Sequence, residues 1–288
     1  MSFGDLKTRS ITALMLIGSL SAILLSAKTC FGSFLLIAVA LLVALIGAAE
    51  FARFEKSRGM YWYFAVLLIL PAVALTFWST AQFGICSLEW RPARGFGILM
   101  ASALCTLLGG LLACCVAARS DLDAVGIFFK NYVVAWLLIG VGSGALVGIA
   151  GAAQAQSIVT WLILVVAVND ISAYFVGRLF GGAKLAPAIS PGKTVSGTVG
   201  GLICGTLCGA LLSSLVPHVT SLWVLILPLV ITIAAQLGDL LESYLKRIHG
   251  LKDSGSLLPG HGGILDRVDA ILGAAPLMYA WLFFNSWL

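Results

Sequence analysis

The chain has 288 residues, a length that suits one or two soluble domains, but its composition excludes them. Hydrophobic residues make up 60% of the chain, charged residues only 10%, and the mean hydropathy is +1.07, which together indicate a polytopic membrane protein. The net charge of +5 does not indicate a nucleic-acid partner, because the basic residues are scattered between apolar segments. The seven cysteines form no Cys-x-x-Cys pair, so we interpret them as small apolar residues rather than disulfides or metal ligands.

Apolar segments close to the ~20 residues that a bilayer requires recur along the chain. They predict an all-α, polytopic integral membrane bundle of about nine transmembrane helices. The candidate spans are about 10–27, 31–52, 60–79, 96–118, 131–151, 157–177, 197–216, 221–241 and 270–287. The first span also resembles a signal peptide, but no well-placed small-x-small site follows it and a second span begins almost at once. We divide the chain into N-terminal helices, 1–130, and C-terminal helices, 131–288, which carry the candidate site.

The distribution of basic residues predicts an orientation. If the N-terminus is cytoplasmic, fourteen of the seventeen Lys and Arg residues lie in inner segments, and only Lys28, Arg91 and Arg94 lie in outer ones. Because cytoplasmic loops are enriched in Lys and Arg, we expect an N-in, C-out topology.

Two predicted spans carry glycine at every fourth position. The positions are Gly140, Gly144 and Gly148 in the fifth span, and Gly197, Gly201, Gly205 and Gly209 in the seventh. Small residues at this spacing let helices approach closely. We expect packing within one chain, and a homodimer contact is the alternative use.

The densest mixed charge lies between residues 236 and 269, which hold five of the twelve acidic residues. The charged residues are Asp239, Glu242, Asp253, Asp266 and Asp269, with Lys246, Arg247, Lys252 and Arg267. Asp239, Ser243 and Lys246 share a helix face by their spacing. Carboxylates among basic residues suit a divalent cation that carries a phosphorylated ligand. A solvated, salt-bridged helix end is the alternative interpretation.

The same segment contains an unbroken series of motif positions. They are Ser243, Lys246-Arg247, Lys252-Asp253, Pro259-Gly260-His261-Gly262-Gly263, Asp266-Arg267 and Asp269. This series closely resembles the signature of CDP-diacylglycerol synthase, also called phosphatidate cytidylyltransferase. The upstream Gln236, Gly238, Asp239 and Glu242 fit the same family. The resemblance implies an integral membrane enzyme that joins CTP to phosphatidic acid in phospholipid biosynthesis.

The resemblance extends back to Asn169. The sixth span matches the family's Asp-x-x-Ala-Tyr followed by Gly-Arg at Asp170, Ala173, Tyr174, Gly177 and Arg178. A carboxylate inside an apolar helix is costly, so Asp170 needs a partner or a water-filled cleft. We expect it to organise the floor of the cleft, and a hydrogen bond to a neighbouring helix is the alternative.

The family's Ser-Pro-x-Lys-Thr pattern is matched at Ser190, Pro191, Lys193 and Thr194. A P-loop is excluded here, because the first glycine of that motif would fall on Pro187. The chain departs from the usual family continuation at Val195 and Ser196.

The resemblance implies nucleotidyl transfer, which needs positioning and charge neutralisation more than a protein nucleophile. We assign as catalytic Asp239, Asp266, Lys246 and Lys252. We assign as substrate-binding Lys193, Ser190, Thr194, Arg247, Arg267, Ser243, Gly260, His261, Gly262, Gly263 and Asp170, with the backbone N–H groups of Gly260 to Gly263 on pyrophosphate. We assign as metal ligands Asp239, Asp266, Asp253, Asp269 and Glu242. Mg²⁺ is the expected ion, and the resemblance is compatible with a second cation.

The expected partners are CTP, phosphatidic acid and membrane lipid, without nucleic acid. The expected location is the bacterial inner membrane, with the active site facing the cytoplasm. A CTP-dependent polyprenol or lipid kinase, which would transfer the γ-phosphate, is one alternative. A transporter is another, although it would place polar residues at the midplane of repeat-related helices rather than at one face. On the resemblance alone, Asp266→Asn should leave folding near normal and lower turnover by at least ~10².

Overall fold

The computed structural model describes residues 18, 21–26, 30–54, 66–76, 92–117, 122–152, 154–257 and 262–285. The long elements of this part of the chain are helices. They are α1 (Cys30–Phe54), α2 (Val66–Thr76), α3 (Pro92–Ala117), α4 (Leu122–Ala135), α5 (Gly142–Ala150), α6 (Ala155–Phe180), α7 (Val195–Leu211), α8 (Trp223–Ile248) and α9 (Leu265–Asn285). A π-helical turn, Trp136–Val141, connects α4 to α5, and a 3-10 turn, Ser213–Leu215, follows α7. Residues 21–26 are also helical.

The prediction of an all-α polytopic membrane protein is confirmed. Within the described residues, six helices are long and apolar enough to cross a membrane, and they coincide with six predicted spans. The third and seventh predicted spans correspond to the shorter apolar helices α2 and α7. The first predicted span lies mostly outside the described residues. The boundary that we placed between residues 130 and 131 falls inside α4, and the division of the chain stays a prediction.

A short antiparallel hairpin between α6 and α7 was not predicted. Its strands are β1 (Lys184–Ala186) and β2 (Ser190–Thr194). Gly181, with φ of +59°, turns the chain out of α6, a conformation that glycine adopts without steric cost. Thr194 then caps α7, since its Oγ1 accepts the Gly197 N–H at 3.1 Å. The hairpin is thereby fixed between the ends of two packed helices.

The glycine stripe of the seventh span packs within the chain, as we expected. Gly197, Gly201, Gly205 and Gly209 are the buried residues of α7. A Cβ on Gly205 would lie 2.5 Å from Thr232 Cγ2 and 3.0 Å from Asn169 Cβ. The fifth-span glycines are also buried, and a Cβ on Gly148 would lie 2.6 Å from the Tyr279 ring. Both stripes are therefore occupied by helices of the same chain.

Helices α8 and α9 cross at a contact between two glycines. A Cβ on Gly238 would lie 2.5 Å from the Asp269 carbonyl oxygen and 2.9 Å from Gly273 Cα. Side chains at these positions would push the two backbones apart. The crossing places Asp239, which follows Gly238 on α8, beside the first turns of α9 that carry Asp269.

The buried apolar side chains form two clusters. The larger one lies along α5, α6, α8 and α9 and includes Trp161 and Met278. The smaller one includes Phe51 of α1, Leu245 of α8 and Leu265 of α9. This second cluster joins the C-terminal ends of α1 and α8 to the N-terminus of α9, so it supports the segment with the densest charge.

Candidate active site

A cavity of about 730 Å³ opens where α6, the β1–β2 hairpin, α7 and α8 meet. Five predicted site residues line it: Asp170, Ser190, Lys193, Thr194 and Asp239. Arg178 and Lys184, to which we had assigned no role, line the same cavity. The chain thus brings residues from three separate sequence segments to one polar recess, with both signs of charge on its walls.

Lys193 and Asp239 form an ion pair across the cavity. The Lys193 Nζ lies 2.6 Å from Asp239 Oδ2, and their side chains are 25% and 33% exposed. The other carboxylate oxygen, Oδ1, has a long contact of 3.5 Å with the Ser243 hydroxyl. The pair is therefore accessible from the cavity, and an anionic ligand would compete for the ammonium group.

Two amide side chains that we did not include in the predicted site lie at the cavity, Gln236 on its wall and Asn169 buried behind Asp170. Asn169 is fully buried, and its Nδ2 donates to Asp170 Oδ1 at 3.0 Å. Asn169 Oδ1 in turn accepts from Gln236 Nε2 at 2.7 Å, and Gln236 also donates to the Thr198 carbonyl oxygen at 3.1 Å. This relay connects α6, α7 and α8 and holds the Asp170 side chain. Asp170 therefore lies on the cavity wall and accepts a hydrogen bond from the preceding residue of its own helix, and the relay behind Asn169 reaches the neighbouring helices.

A second charged cluster lies on the facing sides of α8 and α9. Lys246 Nζ lies 2.5 Å from Glu242 Oε2 and 2.7 Å from Asp266 Oδ1. Glu242 is 1% exposed and its carboxylate is almost completely desolvated. A single ammonium group is thus shared by two carboxyl groups and offsets part of the cost of burying them.

Asp266 also binds the loop that precedes α9. Its Oδ2 accepts the backbone N–H groups of Ser254 and Gly263, both at 2.8 Å, and the Ser254 hydroxyl at 3.0 Å. With Lys246 on Oδ1, both oxygens have protein donors. The Gly263 N–H donates to this carboxylate, and its contact with pyrophosphate stays a prediction. Gly262 adopts φ of +82° in the same turn.

Glu50 of α1 is a further carboxylate in this region, and our sequence reasoning missed it. It is 2% exposed and accepts hydrogen bonds from the Ser254 hydroxyl and from the N–H groups of Ile264 and Leu265. A single acidic residue within the 25-residue apolar helix Cys30–Phe54 was the signal that could have identified it.

The five predicted metal ligands do not form one cluster. In the part of the chain that the structure describes, no three His, Cys, Asp or Glu side chains converge as a metal-binding group. Asp239 lies on the cavity, Glu242 and Asp266 are held by Lys246, and the Asp253 side chain is exposed. Asp269 is buried, and its Oδ1 accepts the N–H of Ala270 at 2.8 Å. These carboxylates thus have separate partners, and their assignment as metal ligands stays a prediction.

The predicted basic residues are also divided between roles. Arg247 donates to the carbonyl oxygens of Ile189 and Leu251, at 3.2 and 3.3 Å, so it ties the hairpin turn to the end of α8. Lys252 and Arg267 are exposed. Of the predicted loop residues, Gly260 and His261 lie outside the described residues.

The fold and the cavity define an integral membrane protein whose polar site, with acids and bases from α6, β2 and α8, lies at one end of a helical bundle. A model of the cytidylyltransferase family matches residues 7–285, and the chain belongs to this family. Family membership confirms the resemblance that the motif residues indicated.

Individual relatives are consistent with this assignment. A phosphatidate cytidylyltransferase of Brucella abortus is 47% identical over 121 residues, which cover 42% of this chain and 45% of the relative. The chain thus spans about half the length of that relative in the match. A protein of the same name from Staphylococcus haemolyticus is 42% identical over 121 residues, or 42% of this chain and 46% of the relative. The match to the Staphylococcus epidermidis phosphatidate cytidylyltransferase is longer, at 31% identity over 95% of this chain and 97% of the relative.

Proposed function

We propose that this protein is a phosphatidate cytidylyltransferase that converts CTP and phosphatidic acid to CDP-diacylglycerol and pyrophosphate. The observation that carries the proposal is the 31% identity to a protein of that name over nearly the full length of both chains. The cavity supports it, since Lys193, Arg178 and Lys184 supply positive charge for phosphate groups at one end of an apolar bundle.

In the proposed reaction, a phosphate oxygen of phosphatidic acid forms a bond to the α-phosphorus of CTP. The bond from that phosphorus to the bridging oxygen breaks, and pyrophosphate carries away the electron pair. The proposed role of Lys193 is to bind a phosphate group and offset its charge, and that of Thr194 is to fix the position of Lys193 as the cap of α7. We propose that Lys246 and Asp266 belong to the catalytic machinery, and that their ion pair, together with that of Lys246 and Glu242, also holds α8 and α9 in register beside this cavity.

The carboxylates of the cavity fit Mg²⁺. This ion is commonly held by one or two carboxylates together with substrate phosphates, and Asp239 and Asp170 both line the cavity. Asp239 Oδ1 has a long contact of 3.5 Å with the Ser243 hydroxyl, whereas Asp170 Oδ1 accepts a hydrogen bond from Asn169 at 3.0 Å. We therefore expect Asp239 to be the better metal ligand of the two. When bound, the ion would offset negative charge on the CTP phosphates. A second cation and a homodimer stay predictions.

The reaction is tested with purified protein in detergent, CTP, phosphatidic acid and Mg²⁺. We expect CDP-diacylglycerol and pyrophosphate in equal amounts, with little product from ATP or GTP. Formation of CDP and a newly phosphorylated lipid would instead identify a CTP-dependent lipid kinase and refute the proposal.

We also propose that the site faces the cytoplasm, with an N-in, C-out topology, because of the bias in basic residues. Ser256 and Gln154 are exposed and lie in loops at opposite ends of the bundle in the predicted topology. In sealed cells, an impermeant thiol reagent should label Gln154→Cys and spare Ser256→Cys, against the background of the seven native cysteines. Detergent should make both positions reactive. The opposite labelling pattern in sealed cells would invert the topology.

A further inference from the structure

A carboxylate of α1 lies against the loop that precedes α9. Glu50 lies near the C-terminal end of α1, and its two oxygens accept three hydrogen bonds from the far end of the chain. The donors are the Ser254 hydroxyl at 2.8 Å, the Ile264 N–H at 3.0 Å and the Leu265 N–H at 2.9 Å. The side chain is 2% exposed, so water does not compete for these bonds.

Two of the three donors belong to the start of α9. The first N–H groups of an α-helix have no partner within the helix, and an acidic group there also interacts favourably with the helix dipole. Capping groups normally come from the residue just before the helix. Here the acceptor for Ile264 and Leu265 comes from α1, more than 200 positions earlier in the sequence. Glu50 therefore fixes the position of the α9 N-terminus relative to α1.

The third donor connects Glu50 to Asp266. The Ser254 hydroxyl lies 2.8 Å from Glu50 Oε2 and 3.0 Å from Asp266 Oδ2, so both carboxylates bind the same hydroxyl. The loop backbone packs directly on Glu50, since a Cβ on Gly255 would lie 2.7 Å from its Oε1 and one on Gly263 would lie 2.5 Å from its Oε2. Glycine at these two positions leaves room for the Glu50 carboxylate against the loop backbone.

Burial of a carboxylate is costly even when it is hydrogen-bonded, and an apolar side chain would pack α1 against α9 at lower cost. The distinctive result of having Glu50 here is a fixed loop geometry. We propose that Glu50 is a positioning residue of the active site, which holds Ser254, Ile264 and the start of α9 so that Asp266 and Lys246 meet. This rests on the proposed function, because it takes the Asp266 region to be part of the catalytic machinery.

The test compares Glu50→Gln with the wild type in two measurements. Glutamine keeps the size but offers one acceptor oxygen, and its amide group would face an N–H or O–H donor. Amide hydrogen exchange in 262–266, measured relative to amides of α6, should become at least ~10-fold faster. The kcat should fall at least ~10-fold, with a smaller change in the KM for CTP, because Glu50 does not line the cavity proposed to bind the nucleotide. Glu50→Asp, which keeps the charge on a shorter side chain, should recover part of both.

The matched control is Phe51→Leu, which weakens packing at the same end of α1 and leaves the carboxylate in place. If both variants lower kcat equally for an equal loss of thermal stability, Glu50 has a structural role only and the proposal is wrong. Wild-type exchange or wild-type kcat in Glu50→Gln would also overturn it.

If Glu50→Gln does not insert, Ser254→Ala removes only the shared hydroxyl and should still accelerate exchange and reduce kcat several-fold. Wild-type behaviour of Ser254→Ala would then refute the proposal. If the wild type itself makes no CDP-diacylglycerol, the proposed function fails, and unchanged exchange in Glu50→Gln would refute the loop-holding role independently.

Discussion

Asp266→Asn is the substitution for which sequence and structure make different predictions. The sequence-based assignment treats Asp266 as a metal ligand, so the amide should lower turnover by at least ~10² and leave folding near normal. In the structure, Oδ1 contacts Lys246 at 2.7 Å and Oδ2 accepts the Ser254 and Gly263 N–H groups at 2.8 Å. Asparagine has one acceptor oxygen, so its NH₂ group must face either the ammonium group or the two backbone donors.

The more favourable orientation of the asparagine amide keeps its oxygen on the Ser254 and Gly263 N–H groups and loses the contact with Lys246. Lys246 keeps Glu242 at 2.5 Å, so its charge is not left unpaired. The loss is then one charge-assisted hydrogen bond, about 1.5–3 kcal/mol. Most proteins have about 5–15 kcal/mol of stability, so the variant should fold with a measurable decrease in thermal stability. If the charge of Asp266 acts in catalysis, turnover should also fall by at least ~10².

Thermal unfolding and kcat are measured for Asp266→Asn at several Mg²⁺ concentrations, with Leu277→Ala on the exposed side of α9 as a control. A double-mutant cycle with Ser254→Ala tests the network, and a coupling energy above about 0.5 kcal/mol is expected for groups in contact. Additive effects on stability would refute the hydrogen-bond argument. Retention of more than about a tenth of wild-type turnover at saturating Mg²⁺ would remove Asp266 from the catalytic machinery.

The other predictions concern helix packing and the cavity. Gly205→Leu should lower the yield of folded protein and reduce its free energy of unfolding by ~1–3 kcal/mol, because the new side chain overpacks against Thr232. The control is Gly97→Leu, which should be tolerated because a Cβ at Gly97 meets no atom within 4 Å. Equal yields for the two variants would contradict the packed arrangement of α7. Lys193→Ala should raise the KM for CTP at least ~10-fold with little loss of stability, because the ion pair with Asp239 is partly exposed. An unchanged KM would mean that the cavity does not bind the nucleotide through Lys193.

Hydropathy predicted most of the fold, because a bilayer fixes both the length and the apolar character of a spanning helix. It did not predict the hairpin or the π-helical turn Trp136–Val141. Strands as short as β1 and β2 have no distinct local pattern, and their pairing depends on the packed ends of α6 and α7. Glycine spacing predicted that α7 packs closely against other helices, but it could not identify α6 and Thr232 of α8 as the partners.

Motif spacing identified most residues of the cavity but not their contacts. Lys193 and Asp239 are far apart in the sequence, and both were predicted site residues. Their pairing depends on the packing of α7 against α6 and α8, which composition does not specify. The contacts of Arg247 could not be predicted for the same reason. Its charge indicated phosphate binding, whereas in the structure its guanidinium donates to the Ile189 and Leu251 carbonyl oxygens.

Glu50 shows why a carboxylate in an apolar span cannot be assigned from its own helix. It lies four residues before the end of α1, or about 6 Å along the axis, so its side chain could have reached the membrane surface from there. Its burial is caused by a loop from the opposite end of the sequence, which supplies the Ser254, Ile264 and Leu265 donors. Asp170 could be predicted as a site residue because it lies beside motif residues, whereas Glu50 lies in a segment where only hydropathy was informative. Asp170 is exposed on the cavity wall, whereas Glu50 is 2% exposed and is stabilised only because donors from a distant part of the sequence reach it.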